Sequence, residues 1–281
     1  MGNSKHPFSL GLGDLDPGQI CPARTPGSLG INDHADPSGW SLFGDTPGPI
    51  GICSSPVPKV GFGFAAQLSL AGQKVMSAEE LELIGEQNCP EFVLLAAVSY
   101  GEASWKNVAE EMAAIAKVIV RQKEARKTSI AKLLGPNSSY AFAASDGNAR
   151  TGAFLKASPK ERLANSGMVL ALKAAQGAMG DGFDYSSGAY FWDGADIKSN
   201  YANHPKVKLG IKFTDPKHNI YGIAETSVDK TEYWLDANKK PTANVRGKYK
   251  CVYESTAAYG GTIFWKYGAD FLKATGNKVF A

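Results

Sequence analysis

Phe92, Val93, Leu94, Leu95, Ala96, Ala97 and Val98 form a run that is apolar on every side. It predicts a helix over about 90–101, buried all round. Pro90 suits the first turn, where a missing N–H costs nothing, and Gly101 reads as the terminating residue. From Trp105 to Arg126, Val108, Met112, Ile115 and Ile119 recur at helical spacing, with Lys117, Arg121, Lys123 and Arg126 elsewhere. This predicts a long amphipathic helix whose basic end complements its C-terminal dipole. Ser77 with Glu80 makes a capping box for a helix over roughly 78–87, and Ser158-Pro159 with Glu161 starts another that runs to about Met179. Ser129 to Leu134 adds a short helix stopped by Gly135-Pro136. Between these, residues 136–157 read as a long loop anchored by Tyr140, Phe142 and Phe154, and loops of that length inside a compact domain are often functional.

Beyond Gly180 to Gly182 the pattern changes to short strands and turns. Strands are predicted for 188–192, 207–213, 221–224 and 249–254. Residues 262–267 read as a last strand or as the opening of a helix through Phe271 and Leu272, and 255–261 as a turn-like connection. Helices first and a small, mostly antiparallel sheet afterwards is an α+β order. Residues 1–63 differ in kind, holding nine of the 15 prolines together with dense glycine, so turns and extended segments are expected there. A turn unit recurs, TPGSLGI at 25–31 and TPGPIGI at 46–52. The expected organisation is a Pro/Gly-rich N-terminal arm, 1–63, and a functional domain, 64–281.

Composition adds few constraints. The 281 residues are 43% hydrophobic and 20% charged, sufficient for a substantial core. A net charge of +3 gives no reason to expect a nucleic-acid partner. No apolar stretch of about 18 residues predicts a membrane span, and the N-terminus lacks a signal-peptide pattern. Cys21, Cys53, Cys89 and Cys251 are far apart, and His6, His34, His204 and His218 are scattered. No metal-ligand spacing accompanies them, so no metal or cofactor is expected.

Glu102 is the residue that invites a chemical reading. It lies where an apolar helix should end, flanked by Tyr100 and Trp105. The negative end of a helix dipole and desolvating aromatic rings both raise a carboxyl pKa, and a raised pKa suits a general acid near neutral pH. The alternative is a solvated linker carboxylate.

Two segments carry a family resemblance. Tyr100-Gly101-Glu102-Ala103 stands between two helices, and Asp184-Tyr185-Ser186-Ser187-Gly188-Ala189-Tyr190-Phe191-Trp192 follows a later one. In order and spacing the pair resembles the bacterial cell-wall hydrolase family that includes spore-cortex-lytic enzymes, over about 90–195. The resemblance implies a lysozyme-like helical core. It implies cleavage of peptidoglycan glycan strands between N-acetylmuramic acid and N-acetylglucosamine, as a muramidase or lytic transglycosylase, with Glu102 as catalytic acid. Tyr190 and Trp192 would offer ring surfaces from one face of a strand, and Tyr100, Tyr140 and Ser187 complete the expected substrate-binding set. Ser104-Trp105-Lys106 departs from the family pattern, which continues with a second small-Glu pair. Glycosidases ordinarily use a second carboxylate. Asp193 and Asp146 are the candidates, each otherwise a turn residue, and a single-glutamate mechanism stays open.

The N-terminal TPGPIGI and NDHADP stretches resemble leaders of antibacterial effectors of the type VI secretion system. That resemblance implies delivery from the producer's cytoplasm to the periplasm of a target bacterium, an immunity protein and a secretion spike or tube partner. Two rival readings stand beside it. One is a non-enzymatic wall-binding or spike-adaptor protein. The other is a cysteine peptidase or amidase acting on the peptide stem through Cys89 or Cys251 with His204 or His218.

Overall fold

The computed structural model describes residue 77, residues 90–135, residue 144 and residues 147–280. The arm expected at 1–63, the helix expected at 78–87, Cys89, Tyr140 and Asp146 lie outside the described residues. What is described is a mixed α+β structure of helices with a small sheet. Among the described residues, no helix is long and apolar enough to cross a membrane.

Helix α1 (Pro90–Glu102) is the helical centre. Every residue from Leu95 to Glu102 is buried, so the run has no solvent face, as its composition requires. It is enclosed by α2 (Ala109–Ala125), α4 (Ala149–Lys156) and α6 (Ser166–Met179), while the short α3 (Ile130–Leu133) caps one flank. Gly101 does not end α1. The helix continues through Glu102, and the Ala103 N–H still reaches the Ser99 carbonyl at 3.2 Å. The glycine is needed for a close approach: a Cβ there would lie 1.9 Å from Thr151 Oγ1 and 2.9 Å from Asn148 Oδ1, both on the α4 side.

Three helix boundaries differ from the sequence expectation. The amphipathic helix starts at Ala109 rather than Trp105, because Asn107 takes a left-handed φ of 52° and closes a turn onto the Ser104 carbonyl. The expected loop 136–157 contains α4, capped by Asn148. The helix expected from Ser158 to Met179 is two: α5 (Pro159–Ala164), with the predicted capping box, and α6, restarted by the Asn165 side chain.

The sheet has strand order β1-β6-β5-β2, from β1 (Phe191–Asp193), β2 (Ile211–Lys212), β5 (Tyr253–Tyr259) and β6 (Thr262–Tyr267). The β1–β6 and β5–β6 pairs are antiparallel and β2–β5 is parallel. It divides two apolar cores. Trp192, Phe264 and Ala257 face the helices, whereas Phe191, Ile263, Trp265, Tyr253 and Tyr267 face a second, aromatic-rich core. Strand alternation explains most of this split. A register shift between Ser255 and Ala257 explains the rest, because the extra residue turns Ala257 to the face opposite Tyr253. The second core is closed by α7 (Asp196–Ser199), α8 (Pro205–Leu209) and α9 (Ala269–Thr275).

In the second half, residues 262–267 form a strand, the first of the two alternatives read for them, and the helix α9 follows separately. The segment expected as strand 207–213 opens as α8, since Pro205 occupies its first turn and Gly210, with φ 91°, ends it before the two-residue β2. Residues 221–224 are irregular, and 255–259 belong to β5 rather than to a turn. A hairpin of β3 (Lys230–Leu235) and β4 (Pro241–Tyr249) stands as a separate two-stranded sheet.

The close approach at Gly101 gives a direct test. Gly101→Ala is expected to destabilise the fold by about 1–3 kcal/mol, the usual cost of forcing atoms into a filled site. Chemical denaturation measures it, and an unchanged midpoint would remove the proposed role of this glycine.

Candidate active site around Glu102

Glu102 is the last residue of α1 and is 8% exposed. Asn148 Nδ2 donates to its Oε1 at 2.9 Å. The same Asn148 caps α4 with its Oδ1, accepting from the Arg150 and Thr151 N–H groups at 3.1 Å. One amide therefore starts a helix and holds the carboxyl. The Trp192 side chain supplies a second hydrogen bond to Glu102. Burial raises the Glu102 pKa. Asn148 and Trp192 oppose the rise and the charge of Asp196 adds to it, and together they place it at about 7. Near neutral pH this carboxyl is poised between acid and carboxylate.

The loop after Glu102 is rigidly held. Arg150 lies with its guanidinium 4.1 Å from the Tyr100 ring centre and 4.9 Å from that of Trp105. It also donates to the Ala103 carbonyl and to Asn107 Oδ1, the latter at 2.6 Å. Trp105 is 76% exposed, so one face of Arg150 carries a ring presented to solvent, three residues along the chain from Glu102. Tyr100 is buried against Phe154 and Arg150. It supports the site as a wall rather than as a reachable surface.

The second motif has a positioning role. Asp184 accepts from the Ser186 N–H, the Ser186 hydroxyl and the Gly188 N–H, and it pairs with Arg121 of α2. Burial alone would raise its pKa, but these partners hold it below the usual carboxylate range. Ser187 is an exposed turn residue at φ 49°, followed by Gly188 at φ 83°. This latch delivers the chain into β1.

The expected groove surfaces are not where strand alternation would have put them. Tyr190 lies before β1, half-buried beside Arg121 and Phe280, and packs with the second core. Trp192 is 2% exposed in the helical core. The two do not share a face, and Trp192 meets Glu102 through its hydrogen bond rather than offering a ring. Asp193, the next residue, is fully buried and paired with the equally buried Lys206 at 2.9 Å. Burial alone would raise its pKa, but Lys206 and His204 pull it below the carboxylate range. Lys206 and His204 both engage Asp193.

Asp196 was missed in the sequence because nothing local distinguishes it from a turn residue. Its charge acts on Glu102, its side chain is 21% exposed, and its Oδ2 lies 3.3 Å from His204 Nε2. Asn148 had a legible signal, a glycine-asparagine pair before a helical stretch. His204 is buried, which lowers an imidazole pKa, but Asp193 and Asp196 outweigh burial and raise it. Asp193, Asp196 and His204 each bring a ligand-type atom within 4.8 Å of the others. Elsewhere, His218 Nδ1 meets Ser255 Oγ at 2.9 Å. Burial and the charge of Glu254 push the Cys251 thiol pKa up, the wrong direction for a thiolate nucleophile.

A raised carboxyl pKa carries a stability signature. The unfolded chain ionises Glu102 near 4.5 while the folded chain keeps its proton to about 7. The associated stability is complete below about 4.5 and is lost as pH rises through 7. Glu102→Gln is therefore expected to be nearly neutral at pH 4 and stabilising at pH 8, on the order of 3 kcal/mol at about 1.4 kcal/mol per pKa unit. Thermal denaturation at the two pH values measures this, and an equal effect at both would contradict the raised pKa. Comparison with protein-family models, curated proteins and solved structures finds no match for this chain.

Proposed function

We propose that the chain cleaves the glycan strand of peptidoglycan between N-acetylmuramic acid and N-acetylglucosamine, with Glu102 as the general acid. The observation that carries this reading is the Glu102 carboxyl, 8% exposed, held by Asn148 and Trp192, with a pKa of about 7. A carboxylic acid that keeps its proton near neutral pH can donate it to a glycosidic oxygen. The Tyr-Gly-Glu-Ala and Asp-Tyr-Ser-Ser-Gly-Ala segments, similar to those of spore-cortex-lytic enzymes, support the same substrate class. The exposed Trp105 ring, rather than Tyr190 or Trp192, is the surface on which a sugar would stack. Asp196 replaces Asp193 as the candidate second carboxylate, because its side chain is partly exposed and its charge reaches Glu102. With Asp196 acting on water the product is a hydrated sugar. Without it, attack by the sugar's own 6-hydroxyl gives an anhydro sugar.

The biological setting proposed with this chemistry is an antibacterial effector of the type VI secretion class, acting in a target periplasm. A spike or tube protein would be its carrier and an immunity protein its inhibitor. One observation favours the rival, a wall-binding or adaptor protein. The β3–β4 hairpin exposes Tyr233, Trp234, Leu235 and Val245, a contact surface with no part in the Glu102 chemistry.

Digestion of purified peptidoglycan by wild type and Glu102→Gln, followed by mass analysis of the fragments, tests the proposal. Sugar-end products that fall by about 100-fold or more in the variant are expected for loss of a general acid. Peptide-end products, or sugar-end products that persist in the variant, would overturn it. No product from wild type would leave the binding protein as the better reading. Trp105→Ala is expected to raise KM several-fold with little change in Tm, since its ring is largely in water; an unchanged KM would remove Trp105 from the substrate surface.

A further inference from the structure

The corner formed by Asp193, Asp196 and His204 has the geometry of a cation site. We infer that Asp193 Oδ1, Asp196 Oδ2 and His204 Nε2 bind a divalent cation of the zinc type, with one coordination position left for water.

The spacing supports this. His204 Nε2 lies 3.4 Å from Asp193 Oδ1 and 3.3 Å from Asp196 Oδ2. A charge-assisted hydrogen bond would bring such atoms to about 2.7–2.9 Å. Ligands about 2.0–2.2 Å from a tetrahedral zinc stand roughly 3.4 Å from one another. The two separations from His204 match edges of such a polyhedron, and the three atoms all lie within 4.8 Å of one another, so closing of one carboxylate completes the coordination shell. A second, independent observation points to a ligand. The His204 side chain is 3% exposed, and among the described residues neither ring nitrogen makes a hydrogen bond of normal geometry, Nε2 having only the longer contacts to the two acids. Asp196 Oδ1 is buried and likewise lacks a hydrogen-bond partner. Buried polar atoms rarely stay unsatisfied without a reason.

The chemistry of the donor set narrows the occupant. One imidazole and two carboxylates suit zinc, manganese or iron(II) better than calcium or magnesium, which prefer oxygen alone. Three protein ligands leave a fourth place open, the pattern of a catalytic rather than a structural zinc. Asp196, 21% exposed, provides the route of entry. Lys206 donates to Asp193 Oδ1 at 2.9 Å, a supporting hydrogen bond of the kind that ligating carboxylates receive. His204 Nδ1 has no such support, so the affinity is expected to be about 10–100-fold weaker than that of a fully braced site. The competing occupant of this corner is a proton on His204, which would form an imidazolium between the two acids.

The inference does not rest on the glycan reading, because metal uptake is measured without activity; a bound cation would engage Asp196 and leave the single-glutamate route, with Glu102 alone, for the cleavage. The full chain is stripped with a chelator and titrated calorimetrically with Zn²⁺, with Mg²⁺ as comparison. One equivalent of Zn²⁺ is expected, with a rise in Tm and no comparable response to Mg²⁺. Asp196→Ala is expected to weaken Zn²⁺ uptake at least about tenfold, whereas His218→Gln leaves it unchanged. Circular dichroism verifies folding, and Asp196→Asn serves where the alanine variant fails that check. Absence of saturable uptake below about 100 µM Zn²⁺, or uptake undiminished in the Asp196 variant, would overturn the site and leave the protonated histidine in its place.

Discussion

Glu111 is the interaction on which the arrangement of the site depends. It is fully buried near the start of α2 and accepts four hydrogen bonds. Two come from Ser104, through N–H at 3.1 Å and hydroxyl at 2.6 Å, and two from the Gly261 N–H and Thr262 hydroxyl, each at 2.8 Å. A buried carboxylate without partners would be severely destabilising, whereas one with four donors gains about 1.5–3 kcal/mol from each charged bond. The clamp ties the residue two places after Glu102 to the turn between β5 and β6. It thereby joins the helical half of the molecule to the sheet. Gly260 makes room for it, since a Cβ at that position would lie 2.1 Å from Glu111 Oε2.

Legibility in the sequence followed the range of the forces involved. The α1 run, the Ser158–Glu161 capping box and the 262–267 strand are set by neighbours a few residues apart, and they were readable. The burial of Glu102 was readable from its local apolar helix, but the aromatic ring that meets it is Trp192, ninety residues away, rather than the neighbouring Trp105, which is exposed. The reason for Gly101 was not readable, because it is a contact with Thr151 fifty residues away. Asp196 is an ordinary turn-type residue until the fold sets it near Glu102, and the Gly147-Asn148 signal marks a helix start without revealing the contact to Glu102. The face of Tyr190 was misread because it precedes the strand, so the alternation that governs Phe191 and Trp192 does not extend to it. The bulge in β5 and the exposed β3–β4 hairpin leave no periodic trace that a short window can detect.

Two polar centres therefore meet at one edge strand and are coupled through the charge of Asp196. Trp192 turns toward the helices and Glu102, while Asp193 turns toward Lys206 and His204. Their electrical states differ accordingly. Glu102 is desolvated and, among the described residues, met by the neutral donors Asn148 and Trp192 and by the negative charge of Asp196, so it favours its proton. Asp193 is desolvated just as fully but faces an ammonium, so it stays ionised. Burial is common to both, and the partner decides.

The three residues of β1 also fix how the sheet must be threaded. Neighbouring side chains on a strand point through opposite faces, so a slip of β1 against β6 by a single residue would exchange the places of Trp192 and Asp193. An indole would then be pressed toward an ammonium, and a carboxylate would be driven among alanines and valines with nothing to neutralise it. Such a register is opposed both by the burial of an unpaired charge and by the mismatch in volume between an indole and a carboxylate, so the pair of residues that serves the two polar centres also fixes the setting of the strand.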